Sequence, residues 1–289
     1  MLNITDIQKR NHKEPQEVTD IRNNIIKSFS RLRFEEEPHL YYLKQDNDTE
    51  ILLPSVSSVT HQFEPYVDWD MKAAKYALDH DMEKEQVVRM WKENNLRATN
   101  SGTNTHLFGE SYMYFFMGQD DKIPQLIRPQ YEEGFLIPHY SKEDAVVRFY
   151  EELFKIDEIY PVMPEAQVYM GLSDEWQDVK PYAGTFDMLF TYKARDGKWK
   201  LLIYDWKTNA SIYKSYSRDN GRMASNPFNL YYDEPYTYYI LQLNCYAMCL
   251  MQLGYEIADM KIIWLKDDGT FEKVPIPNIT SDVRKALLK

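Results

Sequence analysis

The chain has 289 residues, 44% of them apolar, two cysteines and a formal net charge of -11. This suits one large globular domain, or a domain with an appendage, and excludes a disordered chain, a disulfide framework and a membrane-spanning helix. An acidic total runs against a protein coated with basic groups for gripping nucleic acid, but fits a site crowded with carboxylates.

Residues 1–37 are helical in part, because Ile21, Ile25, Ile26 and Phe29 recur at helical spacing, and they read as an N-terminal arm. Residues 39–43 and 51–53 flank the polar stretch 45–49 and predict a hairpin. Residues 66–117 read as mainly helical, with breaks near Asn94-Asn95 and Ser101-Gly102. Another helix is expected over 142–154. Then the pattern turns to strands, at 165–170, 185–192 and 199–206, all rich in β-branched and aromatic residues. A long helix over 235–253 and a strand over 260–265 close the series. Cys245 and Cys249 fall in that helix and read as buried thiols in a reducing compartment. The polar start of the chain lacks an apolar signal segment, so a cytoplasmic setting and no membrane partner are expected. The order of elements predicts an α/β (α+β) fold, a central mixed sheet with helices on its faces and a helical N-terminal part.

The chemistry concentrates at Leu201-Leu202-Ile203-Tyr204-Asp205-Trp206-Lys207. Side chains alternate along a strand, so Asp205 and Lys207 point the same way. By itself the pair reads first as a salt bridge at a strand end. The preceding strand contains Asp187. If the turn is the three-residue loop Arg195-Asp196-Gly197, with Gly197 in the left-handed position of a bulge, Ala194 faces Lys198 and Asp187 faces Asp205. Opposed like charges destabilise a sheet unless a cation bridges them. A two-residue turn would put the carboxylates on opposite faces. Hard oxygen ligands suit Mg²⁺ or Mn²⁺, one ion or two, and the carbonyl of Trp206 could add a ligand. With Lys207 to orient a water and offset negative charge, this is a plan for phosphodiester hydrolysis.

These residues resemble a known family. Gly184-Thr185-Phe186-Asp187 with Asp205-Trp206-Lys207 is similar to the PD-(D/E)XK nuclease superfamily, closest to its RecB-like branch of phage-type exonucleases and the mitochondrial genome maintenance exonuclease. Gly102-Thr103-Asn104-Thr105-His106 resembles the branch's Gly-Thr-x-x-His motif, whose histidine is a metal ligand. Gln242 and Tyr246 match its Gln-x-x-x-Tyr motif, on one helix face. Residues 53–59 resemble its Pro-Ser-Val-Thr segment, and Glu165 stands where the family often has another acid. The resemblance covers roughly residues 50–265. It implies a restriction-endonuclease-like core, with residues 1–50 as arm and hairpin start and 51–289 as nuclease domain, carrying a helical insertion at about 66–156. It also implies a metal-dependent deoxyribonuclease, an exonuclease before an endonuclease, in phage or bacterial recombination, repair or replication, with a protein of those processes as possible partner. A structure-selective endonuclease and a non-catalytic DNA-binding subunit are the alternatives. Iron–sulfur members use four cysteines, so no cluster is expected here.

In this reading His106, Asp187, Asp205, Trp206 and Glu165 bind metal, and Lys207, Asp205, Asp187, Gln242 and Tyr246 form the catalytic set. Glu110, one turn after His106, either supports its imidazole or is a solvated charge. Glu165 is either a ligand or an edge-strand charge, and Tyr246 is either core or site. Lys214, Arg218 and Arg222, interleaved with Tyr213 and Tyr216, are expected to bind single-stranded DNA or its ends, phosphates on the cations and bases on the rings. The remaining histidines, His12, His39, His61, His80 and His139, read as ordinary.

Overall fold

A computed structural model describes residues 13–132, 135–156 and 158–289; His12 lies outside it. Helix α1 (Gln16–Ser28) buries Val18, Ile21 and Ile25, while Ile26 is half exposed. Arg22 of α1 donates to the backbone oxygens of Val162 and Pro161, so α1 lies flush against a sheet strand and its apolar face joins the main core. Strands β1 (Leu32–Glu35), β2 (Leu40–Lys44) and β3 (Glu50–Leu53) form an antiparallel sheet, with the expected hairpin between β2 and β3. Strand β1 falls where the sequence predicts helix or arm.

Helix α2 (Val56–His61) starts at Ser55, whose hydroxyl accepts the Ser58 amide. Helices α3 (Trp69–Asp79) and α4 (Lys84–Phe116) form a hairpin. Helix α4 runs unbroken through 33 residues, so neither expected break occurs. Asn and Gly inside a helix cost about 0.5–1 kcal/mol each relative to Ala. Burial at both ends outweighs that: Val87 packs with Ala73 and Ala77 of α3, and Phe108, Tyr112, Met113, Phe115 and Phe116 enter a large aromatic cluster.

A short pair, β4 (Tyr131–Glu132) and β5 (Phe135–Leu136), precedes α5 (Ser141–Leu153). The large sheet comprises β6 (Ile159–Tyr169), β7 (Ala183–Lys193), β8 (Trp199–Lys207), β9 (Ile257–Leu265) and β10 (Phe271–Pro275), in the order β10-β9-β8-β7-β6. All pairs are antiparallel except β8 with β9. A parallel pair needs a crossover; it contains α6 (Ser215–Asp219) and the long α7 (Pro235–Met251). Helix α8 (Thr280–Ala286) ends the fold.

The fold is mixed α/β, as expected, with helices on both faces of the five-stranded sheet. Alternation along β8 shows how the sequence makes two layers. Leu201 and Ile203 join the core under α1, α2, α7 and α8; Leu202, Tyr204 and Trp206 join the one under α4 and α5. The β7–β8 turn is the three-residue loop: Ala194 donates its amide to Lys198 O at 2.8 Å, and Gly197 has φ +82°.

Candidate metal centre

Three carboxylates stand on one rung of the sheet. The β7–β8 ladder ends at the pair Met188–Tyr204; its register, continued one step, brings Asp187 to Asp205, and the two charges act on each other. On the other side, Pro164 pairs with Met188 and Ala166 with Phe186, which sets Glu165 opposite Asp187. The strands depart from regular geometry here. Glu165 has φ +45°, a conformation that costs a non-glycine residue about 1 kcal/mol or more. The Trp206 amide donates to Asp187 Oδ2 at 2.6 Å. Asp187 and Asp205 are 7% and 2% exposed and Glu165 is half-buried, so Asp187 and Asp205 have little water to separate them.

Helix α4 brings the histidine. Its Gly109 lies so close to the Trp206 indole that a Cβ there would stand 2.5 Å from Nε1. A Cβ on Gly102 would stand 3.2 Å from Thr208 Oγ1. These two glycines, nearly two helical turns apart, let α4 press on the end of β8, and His106 lies between them. Its Nδ1 is 3.0 Å from Asp187 Oδ1. Facing it, α7 closes on β7 over Gly184, where a Cβ would meet Tyr246 Cε1 at 2.7 Å and Val56 Cγ2 at 2.9 Å. The glycine of Gly-Thr-Phe-Asp is therefore a packing requirement. Tyr246 is buried against Phe186, and its hydroxyl accepts from Gln242 Nε2 at 3.1 Å.

The ligand atoms of His106, Glu165 and Asp187 lie within 4.8 Å of one another. Ligands trans across a small hard cation with bonds of ~2.1 Å sit ~4.2 Å apart, and cis ones ~3.0 Å apart. The 4.8 Å bound exceeds the trans separation by about 0.6 Å and the cis one by about 1.8 Å, so the side chains would close in on a bound ion. Lys207 forms an ion pair with Asp205 Oδ2. That oxygen is buried and engaged by the Lys207 ammonium, beside the cluster. An imidazole and three carboxylates are a donor set that fits a divalent cation.

The protonation states follow from the crowding. Burial pushes the Glu165 carboxyl well above the carboxylate range, and the charges of Asp187, Glu110 and Asp205 push it further. Burial, with Asp187 alongside, raises Asp205 to about 6 against the pull of Lys207. Asp187 resists burial and stays below its ordinary value because His106, Lys207 and the Trp206 amide stabilise its charge. His106 and Lys207 are likewise held above their ordinary values despite burial, chiefly by Asp187 and Asp205 respectively.

A cavity of about 260 Å³ opens on this rung; its wall includes His106, Glu165, Asp187, Asp205, Lys207, Gln242 and Tyr246. The expected sites on five separate elements thus converge. Trp206 enters through its amide, and its indole belongs to the core. Glu110 is paired with Tyr114, while the His106 imidazole is paired with Asp187; burial lifts Glu110 to about 7. Sequence reasoning missed His39, Tyr41, Ser55, Ser57 and Thr185, which also line the cavity. The resemblance of residues 53–59 was the available signal for Ser55 and Ser57. Nothing in the sequence marks His39, whose backbone adopts φ +65°.

The arginines of the basic segment are engaged by carboxylates within the fold. Arg218 donates two hydrogen bonds to Glu234, at 2.9 and 2.8 Å, and stacks over Tyr213 at 4.4 Å. Arg222 donates to Asp233 at 2.5 Å, and the Lys214 amide donates to Glu234. Both arginines are thereby charge-neutralised and fasten the crossover to the start of α7. Lys214 and Tyr216 are exposed.

The two cysteines are buried in α7, and burial raises the Cys245 thiol to about 12. No described helix is long and apolar enough to cross a membrane. No protein-family model matches the chain, and no curated protein matches it.

Proposed function

We propose that the protein is a divalent-metal-dependent DNA nuclease, acting as an exonuclease in phage or bacterial recombination, repair or replication, in the cytoplasm. The observation that carries this reading is the rung Glu165–Asp187–Asp205, capped by His106 and flanked by Lys207. Two buried acids packed against a half-buried third destabilise the fold unless their charge is offset, and a bound cation offsets it. The choice of DNA and of end-directed cleavage comes from the resemblance of the motifs to RecB-like nucleases.

His106, Glu165, Asp187 and Asp205 would hold Mg²⁺ or Mn²⁺. When bound, such an ion polarises a phosphoryl oxygen and acidifies a water molecule. Lys207, held above its ordinary pKa, keeps its proton at neutral pH. It therefore acts as a cationic donor, orienting the attacking water and offsetting charge on the phosphoryl oxygens, and not as a proton acceptor. Asp205 aims that ammonium. The Trp206 amide fixes the Asp187 carboxylate, and Gln242, tied to Tyr246, completes the wall.

The test is cleavage of end-labelled linear and circular DNA, single- and double-stranded, with Mg²⁺, Mn²⁺ or EDTA, by wild type and Lys207→Ala. Metal-dependent loss of linear DNA alone, reduced at least 100-fold in Lys207→Ala, is expected. Nicked circles would establish an endonuclease instead. DNA binding without cleavage under any metal condition would refute the enzymatic reading.

A further inference from the structure

The chain leaving β8 is pinned at the two residues after Lys207. Lys142 Nζ donates to Thr208 O at 2.8 Å. Trp264, which pairs with Lys207 across the parallel ladder, donates its indole N–H to Asn209 O at 2.7 Å. Tyr239 of α7 donates its hydroxyl to Asn209 Oδ1 at 2.6 Å, and its ring lies under the Lys207 ammonium, 4.6 Å from Nζ to the centroid. Lys207 has four rotatable carbons and a side chain only 13% exposed, yet Asp205 is its one carboxylate partner among the described residues. A single ion pair leaves the direction of a flexible ammonium underdetermined. An aromatic face supplies a second, directional attraction, strongest where water is excluded.

We propose that Tyr239 is a positioning residue for Lys207: its ring holds the ammonium toward the cavity, and the ring, not the hydroxyl, carries the effect. This rests on the role given above to Lys207 but invokes a residue outside the motifs that suggested that role. Tyr239 lies one turn before Gln242 on α7, so one helix carries both the cation's support and the cavity wall.

Two readouts test it. In protein labelled with ¹³C at the lysine ε-carbons, with the Lys207 signal assigned by Lys207→Arg, the ε-methylene resonance should show an upfield ring-current shift. That shift should persist in Tyr239→Phe and vanish in Tyr239→Leu. Independently, Tyr239→Leu should lower kcat on linear DNA about 10- to 50-fold with KM and Mn²⁺ affinity within threefold of wild type, and Tyr239→Phe should restore kcat to within threefold. An unshifted wild-type resonance overturns the proposal even if no DNA is cleaved. So does full activity of Tyr239→Leu where Lys207→Ala is inactive, or equal losses in the Phe and Leu variants. Normal cleavage by Lys207→Ala would instead overturn the nuclease mechanism, leaving the ring-current result to decide where Tyr239 holds the lysine.

Discussion

At the scale of residues, the site is a set of protonation states that a divalent cation would rearrange. Without metal, Asp205 titrates at about 6 and Glu165 well above the carboxylate range, while His106 retains a proton beside Asp187. A cation competes with those protons, so binding must release them. Mn²⁺ affinity should therefore rise at least tenfold between pH 5.5 and 7.5, with net proton release measurable by calorimetry in two buffers of different ionisation enthalpy. Stability has the opposite sign. A carboxyl whose pKa is raised on folding stabilises the protein fully below its unfolded pKa, near 3.9, and that contribution is lost as pH rises through about 6. In metal-free protein, Asp205→Asn should accordingly gain stability relative to wild type between pH 4 and pH 8, by an amount on the order of 1–3 kcal/mol in denaturant melts. Equal differences at both pH values would mean that folding does not shift the Asp205 pKa.

At the scale of elements, much of the site was legible and the reason is local. Asp205 and Lys207 share a face because strands alternate, and the three-residue loop closing on Gly197 could be read as the condition for Asp187 to face Asp205. The helix α7 was plain from its continuous apolar run. Three things were hidden. The continuity of α4 depends on tertiary burial at its two ends, which outweighs the local breaking signals at Asn94-Asn95 and Ser101-Gly102. Strand β1 is too short to carry a period. The alignment of Glu165 with Asp187 depends on a register that passes a bulge between Pro161 and Met163, which no local pattern announces. The packing glycines give the element-scale prediction. Gly109→Ala should cost about 1–3 kcal/mol, because its Cβ would collide with the Trp206 indole, and it should also weaken Mn²⁺ binding by lifting His106 from the rung. Denaturant melts and Mn²⁺ titration would check this; a neutral effect on both would show that α4 can move without consequence.

For the whole molecule, the charge of -11 and the engaged arginines place limits on how DNA could be held. Arg218 and Arg222 fasten the crossover to the carboxylates of Glu234 and Asp233, so their removal should act first on folding. Arg218→Ala leaves the buried Glu234 carboxylate without its two charge-assisted hydrogen bonds, and should lower the thermal midpoint by several degrees. If it lowered DNA affinity with no change in midpoint, the segment would be a DNA contact as the sequence suggested. The fold otherwise reads as a device for bringing one rung of β6, β7 and β8 under α4. Every element around it, from the glycines of α4 and β7 to the pinned exit of β8, holds that rung in place.

The most direct test of that arrangement is the Mn²⁺ signal by electron paramagnetic resonance at pH 7.5, for wild type and for Asp187→Ala. Wild type should take up one or two ions at micromolar free Mn²⁺, with uptake lost or weakened at least 100-fold in the variant. Unchanged uptake in Asp187→Ala, or none in folded wild type up to millimolar Mn²⁺, would contradict the assignment of the rung as a metal centre.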